Sequence, residues 1–254
     1  MKRVVCRYPQ KVLWWRSIES SNPLEMFSAK TAGKIRKTQK LAAAHGFQFI
    51  IEPVTEDFLD RFVPIYSDFI QHISGTLHDV RSAILHAKHH YPYQVISFYQ
   101  EKNLLGALIF SNRSDHLAVA YRVVPHRLPI QTPISISYVG EMYFNQYAVD
   151  QKKRFITHGS DRNCYGHALA LGLADYKYRI GYAPRLTPKF SDVPPEEYFD
   201  WDEKSVVYIL LQPSKGEIIA DALLLAPSKK VATETLTQYA MFQKPPSPRL
   251  TMKY

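Results

Sequence analysis

Phe155-Ile156-Thr157 runs into His158-Gly159-Ser160-Asp161-Arg162, and Gly172-Leu173-Ala174-Asp175-Tyr176-Lys177-Tyr178-Arg179-Ile180-Gly181 follows. The apolar triplet reads as a buried strand, and His158 to Arg162 as a turn rich in hydrogen-bond donors. From about Gly166 to Ile180 the chain reads as helix, with Gly181 supplying the left-handed residue that ends it. A polar turn between a strand end and a helix start is where α/β folds place ligands. The same arrangement also serves as an ordinary strand-to-helix connection.

Working outward, Val12-Leu13-Trp14-Trp15 is apolar enough to require burial or a partner surface. Thr31 to Ala44 reads as a basic helix ended by His45-Gly46, and Phe47 to Val54 as a short strand interrupted by Pro53. Thr55 to His72 opens on a Thr N-cap and two acids, which suit the helix dipole. Its Phe58, Phe62, Ile65, Tyr66 and Phe69 recur at helical spacing, so one face is core. Asp79 to His89 reads as a second helix, ended before Tyr91-Pro92.

The period then changes. Gln94–Tyr99, Leu104–Ser111 and His116–Val124 read as three strands joined by short polar connectors, an antiparallel meander. The loop Pro125 to Pro133 precedes a long helix over Ile134–Gln151, whose expected core stripe is Ile136, Val139, Tyr143 and Tyr147. Residues 187–204 read as an inserted loop, Val206–Gln212 as a final strand, and Leu223–Phe242 as a terminal helix broken near Pro227. The tail from Pro245 reads as frayed.

The 254 residues suffice for one large domain or two small ones. No stretch approaches the roughly 20 apolar residues of a membrane helix, and the N-terminus lacks the residue order of a signal peptide. Cys6 and Cys164 are too few for a disulfide framework or a cysteine-based zinc site, so a reducing cytoplasm is the expected compartment. The net charge of +9 is uneven. Residues 1–46 hold ten Lys and Arg against only Glu19 and Glu25. A basic arm on a near-neutral body points to a polyanion such as RNA, a phosphate-bearing substrate or an anionic lipid surface. It also fits a solvated basic helix with no partner.

The order strand, two helices, three meandering strands, long helix, strand, helix, strand resembles the acyltransferase fold of the GNAT superfamily. The stretch Lys34-Ile35-Arg36-Lys37, a helix ending in Gly46, a strand and the acidic start Thr55-Glu56-Asp57 resembles the entry to a Fem-type domain. Gly159-x-Asp161-Arg162 and Gly172-Leu173-x-x-Tyr176-Lys177-x-x-Ile180-Gly181 resemble that family's closing motif. The chain departs from it with Asp161 where Ser is common and Ile180 where an aromatic is common. The likeness covers about residues 30–212. Fem-type peptidoglycan enzymes usually carry two such domains, and this chain has room for one. The resemblance implies a single GNAT-like α+β fold, with a mixed, mostly antiparallel central sheet flanked by helices. It divides the chain into a basic segment 1–29, a transferase domain 30–212 and a C-terminal helix and tail 213–254.

The implied activity is transfer of an acyl or aminoacyl group to an amine acceptor. The donor is aminoacyl-tRNA or acyl-CoA, with no tightly bound cofactor and no metal. Such an enzyme must align amine and carbonyl, remove a proton and stabilise an oxyanion. The loop before the long helix has no glycine, so backbone amides cannot easily wrap a pyrophosphate, although Arg127 can contact one phosphate. That argues against ordinary acetyl-CoA use and is compatible with an aminoacyl-tRNA donor, which would also suit Lys34, Arg36 and Lys37 as nucleic-acid contacts. Asn163–Ala168 mimics the spacing of the acetyl-CoA signature but follows the wrong strand.

The resemblance places Lys177 toward the substrate cleft; otherwise it is a snorkelled surface lysine. Asp161 and Arg162 either orient an amine and an anionic group or cap the next helix. Tyr165 is either a general acid to the leaving group or a packed core tyrosine. Glu141, in an apolar and aromatic helix, faces solvent or serves as a base. His158 and His126 each follow a strand, so either is a candidate general base near neutral pH. His86, His89 and His90 cluster at a helix end, where the dipole favours them without any metal. Two alternatives stand beside aminoacyl transfer: an acyl-CoA-dependent N-acetyltransferase, and a non-catalytic nucleic-acid or membrane-surface module on the same scaffold.

Overall fold

A computed structural model describes residues 2–6, 11–73, 77–125, 128, 130–162, 171–186, 197–201, 208–212, 221–226, 228–238 and 250–253. The elements begin with β1 (Lys2–Cys6), β2 (Lys11–Ser17), a 3-10 turn (Pro23–Met26), α1 (Ala29–Ala44), β3 (Phe47–Pro53), α2 (Glu56–His72) and α3 (Val80–Ala87). There follow β4 (Tyr93–Gln100), β5 (Asn103–Asn112), β6 (His116–Val123), α4 (Ser137–Asp150), β7 (Phe155–Arg162) and α5 (Leu171–Arg179). The C-terminal part carries β8 (Ala183–Leu186), β9 (Glu197–Trp201), β10 (Tyr208–Gln212), β11 (Asp221–Leu225), α6 (Lys229–Gln238) and β12 (Leu250–Lys253). Seven strands form one mixed, mostly antiparallel sheet in the order β3-β4-β5-β6-β7-β2-β8. The chain divides into two compact units, residues 17–157 and residues 1–16 with 158–254.

The unit of residues 17–157 is built from local signals that agree with their packing. Thr55 caps α2 by accepting from the Phe58 amide at 3.1 Å, and Glu56 and Asp57 fill the first turn. The α2 residues Phe58, Leu59, Phe62 and Tyr66 form one buried cluster with Val80 and Ile84 of α3, Val95 of β4, Ala107 and Ile109 of β5, and Val123 of β6. The expected α2 face is therefore the core face, with Ile65 and Phe69 at its margin. The β3–β4, β4–β5 and β5–β6 pairings are antiparallel. β6 pairs parallel with β7 through His116–Phe155, Leu117–Ile156 and Ala118–Thr157. On α4 the buried residues are Val139, Glu141, Met142, Phe144, Asn145 and Ala148. Of the expected stripe, Ile136 and Val139 are buried, while Tyr143 and Tyr147 are half-buried with their hydroxyls bonded to Gln39 and Asn112.

The unit of residues 1–16 and 158–254 departs further from the sequence reading. His158 to Arg162 is not a turn but the second half of β7. Its polarity suggests exposure, yet His158 is buried, and Lys177 bonds both its carbonyl and the Asp161 carboxylate, so these polar groups are satisfied inside the strand. Val12–Trp15, the apolar run that required burial, pairs antiparallel with β8. β1 pairs antiparallel with β9, which lies inside the expected loop 187–204. The run Leu223–Leu225 is strand, not helix: β11 pairs antiparallel with β10 and parallel with β12. A short apolar run cannot be told from helix by periodicity alone, and sheet pairing decides here. β12 also replaces the expected frayed end over Leu250–Lys253.

Candidate active site

The second half of β7 and the helix α5 bring three of the expected site residues together. Lys177, on α5, is 4% exposed. Its Nζ donates to Asp161 Oδ1 at 2.6 Å and to the His158 carbonyl at 3.0 Å. The Asp161 side chain is 10% exposed, so the ion pair is largely desolvated. Burying two charges costs several kcal/mol per ion, of order 20 for an ideal ion, and their mutual attraction offsets this only with good geometry and added hydrogen bonds. The His158 carbonyl provides such a bond. It precedes Gly159, whose φ of +67° lies in the left-handed region that a residue with a Cβ enters at a cost.

The end of α5 completes the wall. Gly181, at φ +91°, donates its amide to the Tyr178 carbonyl at 2.9 Å, and Tyr182 donates to the Lys177 carbonyl at 3.0 Å. This pair of bonds is the Schellman closure, read correctly from Gly181. It turns the chain so that buried Tyr182 meets the His158 ring edge-on, with centroids 4.8 Å apart. Tyr176 meets the same ring at 6.3 Å. Fully buried Trp14 places its ring centroid 6.0 Å from Lys177 Nζ. The Arg16 guanidinium lies 4.9 Å from the Tyr182 ring centroid and donates to the Ile180 carbonyl. A cation and a carboxylate are thus held among aromatic rings, where electrostatic interactions are stronger than in water.

Among the described residues, Asp161, His158 and Lys177 meet. Glu141 lies on α4 in the other unit and is fully buried, which removes the solvent-facing option. Arg162 ends β7, and its side chain lies outside the described residues, as do Tyr165, Arg127 and His126. Lys34, Arg36 and Lys37 are exposed on α1 with Lys30 and Lys40. His86, His89 and His90 are exposed around the end of α3. Trp14 and Tyr182 are site residues that the sequence reading does not single out. The available signals are the apolar run at Val12–Trp15 and the position after Gly181, where a hydrophobic contact often accompanies a Schellman end.

In the unit of residues 17–157, an apolar slot lies where the donor loop was expected. It is lined by Phe98, Leu108, Val123 and Pro125 with Ile136 and Gly140 at the start of α4. Among the described residues, no group of three or more His, Cys, Asp or Glu could hold a metal ion. No helix among them is long and apolar enough to cross a membrane.

No family model matches the sequence, and no curated protein sequence matches it. The crystal structure of FemX superposes with a TM-score of 0.51 at 10% identity, over 68% of this chain and 59% of that one. The C-terminal DUF2156 domain of an Agrobacterium fabrum protein gives 0.48 at 8% identity, over 72% and 60%. A tandem GNAT protein from the clavulanic acid biosynthesis pathway gives 0.43 at 11% identity, over 72% and 52%. The chain therefore spans three fifths or less of the length of these structures. At these identities the likeness concerns the path of the backbone. With its mostly antiparallel sheet, its helices and its match to FemX, the chain shares the backbone fold of FemX.

Proposed function

We propose that this protein transfers an acyl or aminoacyl group from an ester or thioester donor to an amine. The observation that carries the reading is the buried Lys177–Asp161 pair, anchored on the His158 carbonyl. It falls within the stretch that resembles the closing motif of Fem-type enzymes, in a fold shared with FemX. A desolvated ion pair is weak support for stability, and a strongly desolvated charge pair is a candidate for function.

In the proposed reaction, the amine nitrogen attacks the acyl carbon. A carbon–nitrogen bond forms as the carbon–oxygen bond of an ester, or the carbon–sulfur bond of a thioester, breaks. The amine's proton passes to Asp161 or His158, and the departing oxygen or sulfur takes one up. Lys177 contributes positive charge for the oxyanion, or for an anionic part of the donor. Arg162 is proposed as the second anionic contact, with Tyr165, Arg127 and Glu141 as further candidates. The exposed cations of α1 favour aminoacyl-tRNA over acyl-CoA as donor.

The test is a transfer assay offering radiolabelled aminoacyl-tRNA and acetyl-CoA in parallel to a panel of amines. The double variant Lys177→Met with Asp161→Leu keeps the site apolar and folded. It is expected to lose at least about tenfold in turnover, equivalent to 1.4 kcal/mol of transition-state stabilisation. Full activity in a double variant that melts normally would assign the pair to structure alone. Transfer from acetyl-CoA only would replace the tRNA donor.

A further inference from the structure

The α1 helix and the β3 strand enclose a feature that the transfer reading leaves unused. A cavity of about 320 Å³ opens among Gln39 and Ala43 of α1, Phe47, Gln48 and Phe49 of β3, and Tyr143 of α4. That size is at the lower end of small-ligand sites. Its walls are flat. The Tyr143 ring stacks on Phe49 with centroids 5.0 Å apart, Phe49 stacks on Phe98 at 4.8 Å, and Phe98 on Phe47 at 5.3 Å. Polar groups are few and placed at the edge. Gln39 Nε2 donates to the Tyr143 hydroxyl at 2.9 Å, which fixes both groups and points the amide oxygen elsewhere.

Charge stands beside these rings. Arg36, Gln39, Lys40 and Ala43 recur at i, i+3, i+4 and i+7, so the cations share one helix face with two cavity-lining residues. Lys30, Lys34 and Lys37 form the neighbouring row, and α1 contains no acidic residue. All five cations are exposed. A ligand for this place needs a planar ring that stacks, an edge that exchanges hydrogen bonds with an amide, and negative charge a few ångströms away.

We propose that this cavity binds a nucleoside phosphate. The base packs against Tyr143, its edge meets Gln39, and its phosphate lies on Arg36 and Lys40. The nucleotide arrives either free or as one unit of a single strand, in which case Lys30, Lys34 and Lys37 take the following phosphates. Stacking of a base on an aromatic ring together with backbone charge is the usual chemistry of such recognition. The inference shares the α1 cations with the tRNA-donor reading but is carried by the cavity and its rings, and its test, which measures binding alone, can fail without the transfer reading failing.

The experiment is calorimetric titration of the full chain with AMP, with a ten-nucleotide single-stranded RNA and with inorganic phosphate. Arg36→Ala/Lys40→Ala removes two exposed cations, and Ala43→Phe fills the cavity from an exposed position, so both variants are expected to fold as judged by melting. Each is expected to weaken AMP or RNA binding at least about tenfold, the effect of removing roughly one stacked base or the cation beneath its phosphate. AMP binding equal to that of the RNA assigns a free nucleotide. Much tighter RNA binding, competed by AMP, assigns a strand. The proposal is overturned if neither ligand binds at about 1 mM, the limit near −4 kcal/mol. It is equally overturned if inorganic phosphate binds as well as AMP, or if neither variant changes the affinity.

Discussion

Lys177 and the cations of α1 carry the same kind of charge in opposite settings. Lys177 is buried beside Trp14, and its ammonium is committed to Asp161 and to a backbone carbonyl. Lys30, Lys34, Arg36, Lys37 and Lys40 spread over the exposed face of one helix that has no acid among its residues. The buried lysine acts through desolvation and fixed geometry over about 3 Å. The exposed set acts through a field that ordinary salt screens within about 10 Å. Charge therefore takes two forms here. One is visible only after folding, and the other is visible in the sequence.

The largest expected effect tests the buried side. Lys177→Ala leaves Asp161 in a desolvated place without its cation, and is expected to cost about 3–5 kcal/mol in chemical denaturation. The pair of changes Lys177→Met and Asp161→Leu is expected to recover most of that, because a buried ion pair exchanged for apolar groups is often neutral. A cost for Lys177→Ala below about 1 kcal/mol, the range of exposed pairs, would put Lys177 in the same class as the α1 lysines and dissolve the contrast.

A smaller effect is expected at Gly159. With φ at +67°, Gly159→Ala is expected to cost about 1–2 kcal/mol. Any shift of the backbone there moves the His158 carbonyl that Lys177 holds. Thermal denaturation of Gly159→Ala alone, of Lys177→Met alone and of both is therefore expected to show losses that do not add. Strict additivity would mean that the backbone at Gly159 and the lysine are independent.

The exposed side should scarcely respond in stability. Lys34→Gln, Arg36→Gln and Lys37→Gln together are expected to change unfolding by no more than about 0.5 kcal/mol per site. The same changes are expected to flatten the dependence of single-stranded RNA affinity on salt by about 0.7 logarithmic units for each phosphate left without a cation. An unaltered slope would make α1 a solvated face with no polyanionic partner.

The difference in setting also explains which parts of the molecule are legible in the sequence. The unit of residues 17–157 is readable because its signals are local. The Thr55 cap, the spacing of Phe58, Phe62 and Tyr66, and the polar connectors between β4, β5 and β6 specify elements without long-range help. The second half of β7 reads as a turn because His158 and Asp161 look exposed when their partner, Lys177, is sixteen to nineteen residues away. Leu223–Leu225 reads as helix because its strand partners lie at Leu210 and Thr251, and no local period points to them. Of the site, Lys177, Asp161 and His158 are legible through the motif around Gly159 and Gly181. Trp14 and Tyr182 are not, since only the folded chain brings them to that lysine and that histidine. Glu141 is legible as an oddity on α4, but sequence alone does not decide that it is buried.

The smallest expected effect concerns an exposed carboxylate that is bonded but not buried, which extends the contrast to acids. Asp79 caps α3, and its carboxylate accepts from the Ser82 amide at 3.0 Å. Hydrogen bonds from the Ser82 side chain and backbone hold its carboxyl below the usual value. A depressed value in the folded state means that the contribution to stability is present above the unfolded range, near 3.9, and is lost as pH falls through the lower folded value. Asp79→Asn keeps a good cap but removes the titration. Melting curves of the two proteins are therefore expected to run parallel above about pH 5. Below about pH 4 the native protein should lose stability more steeply than the variant. Asp115 is lowered in the same way by its bond to His116 and titrates in both proteins alike, so it cancels in the comparison. Acid limbs that stay parallel to the lowest pH would show that Asp79 adds nothing beyond an uncharged cap, and that charge matters to this fold's stability only where it is buried.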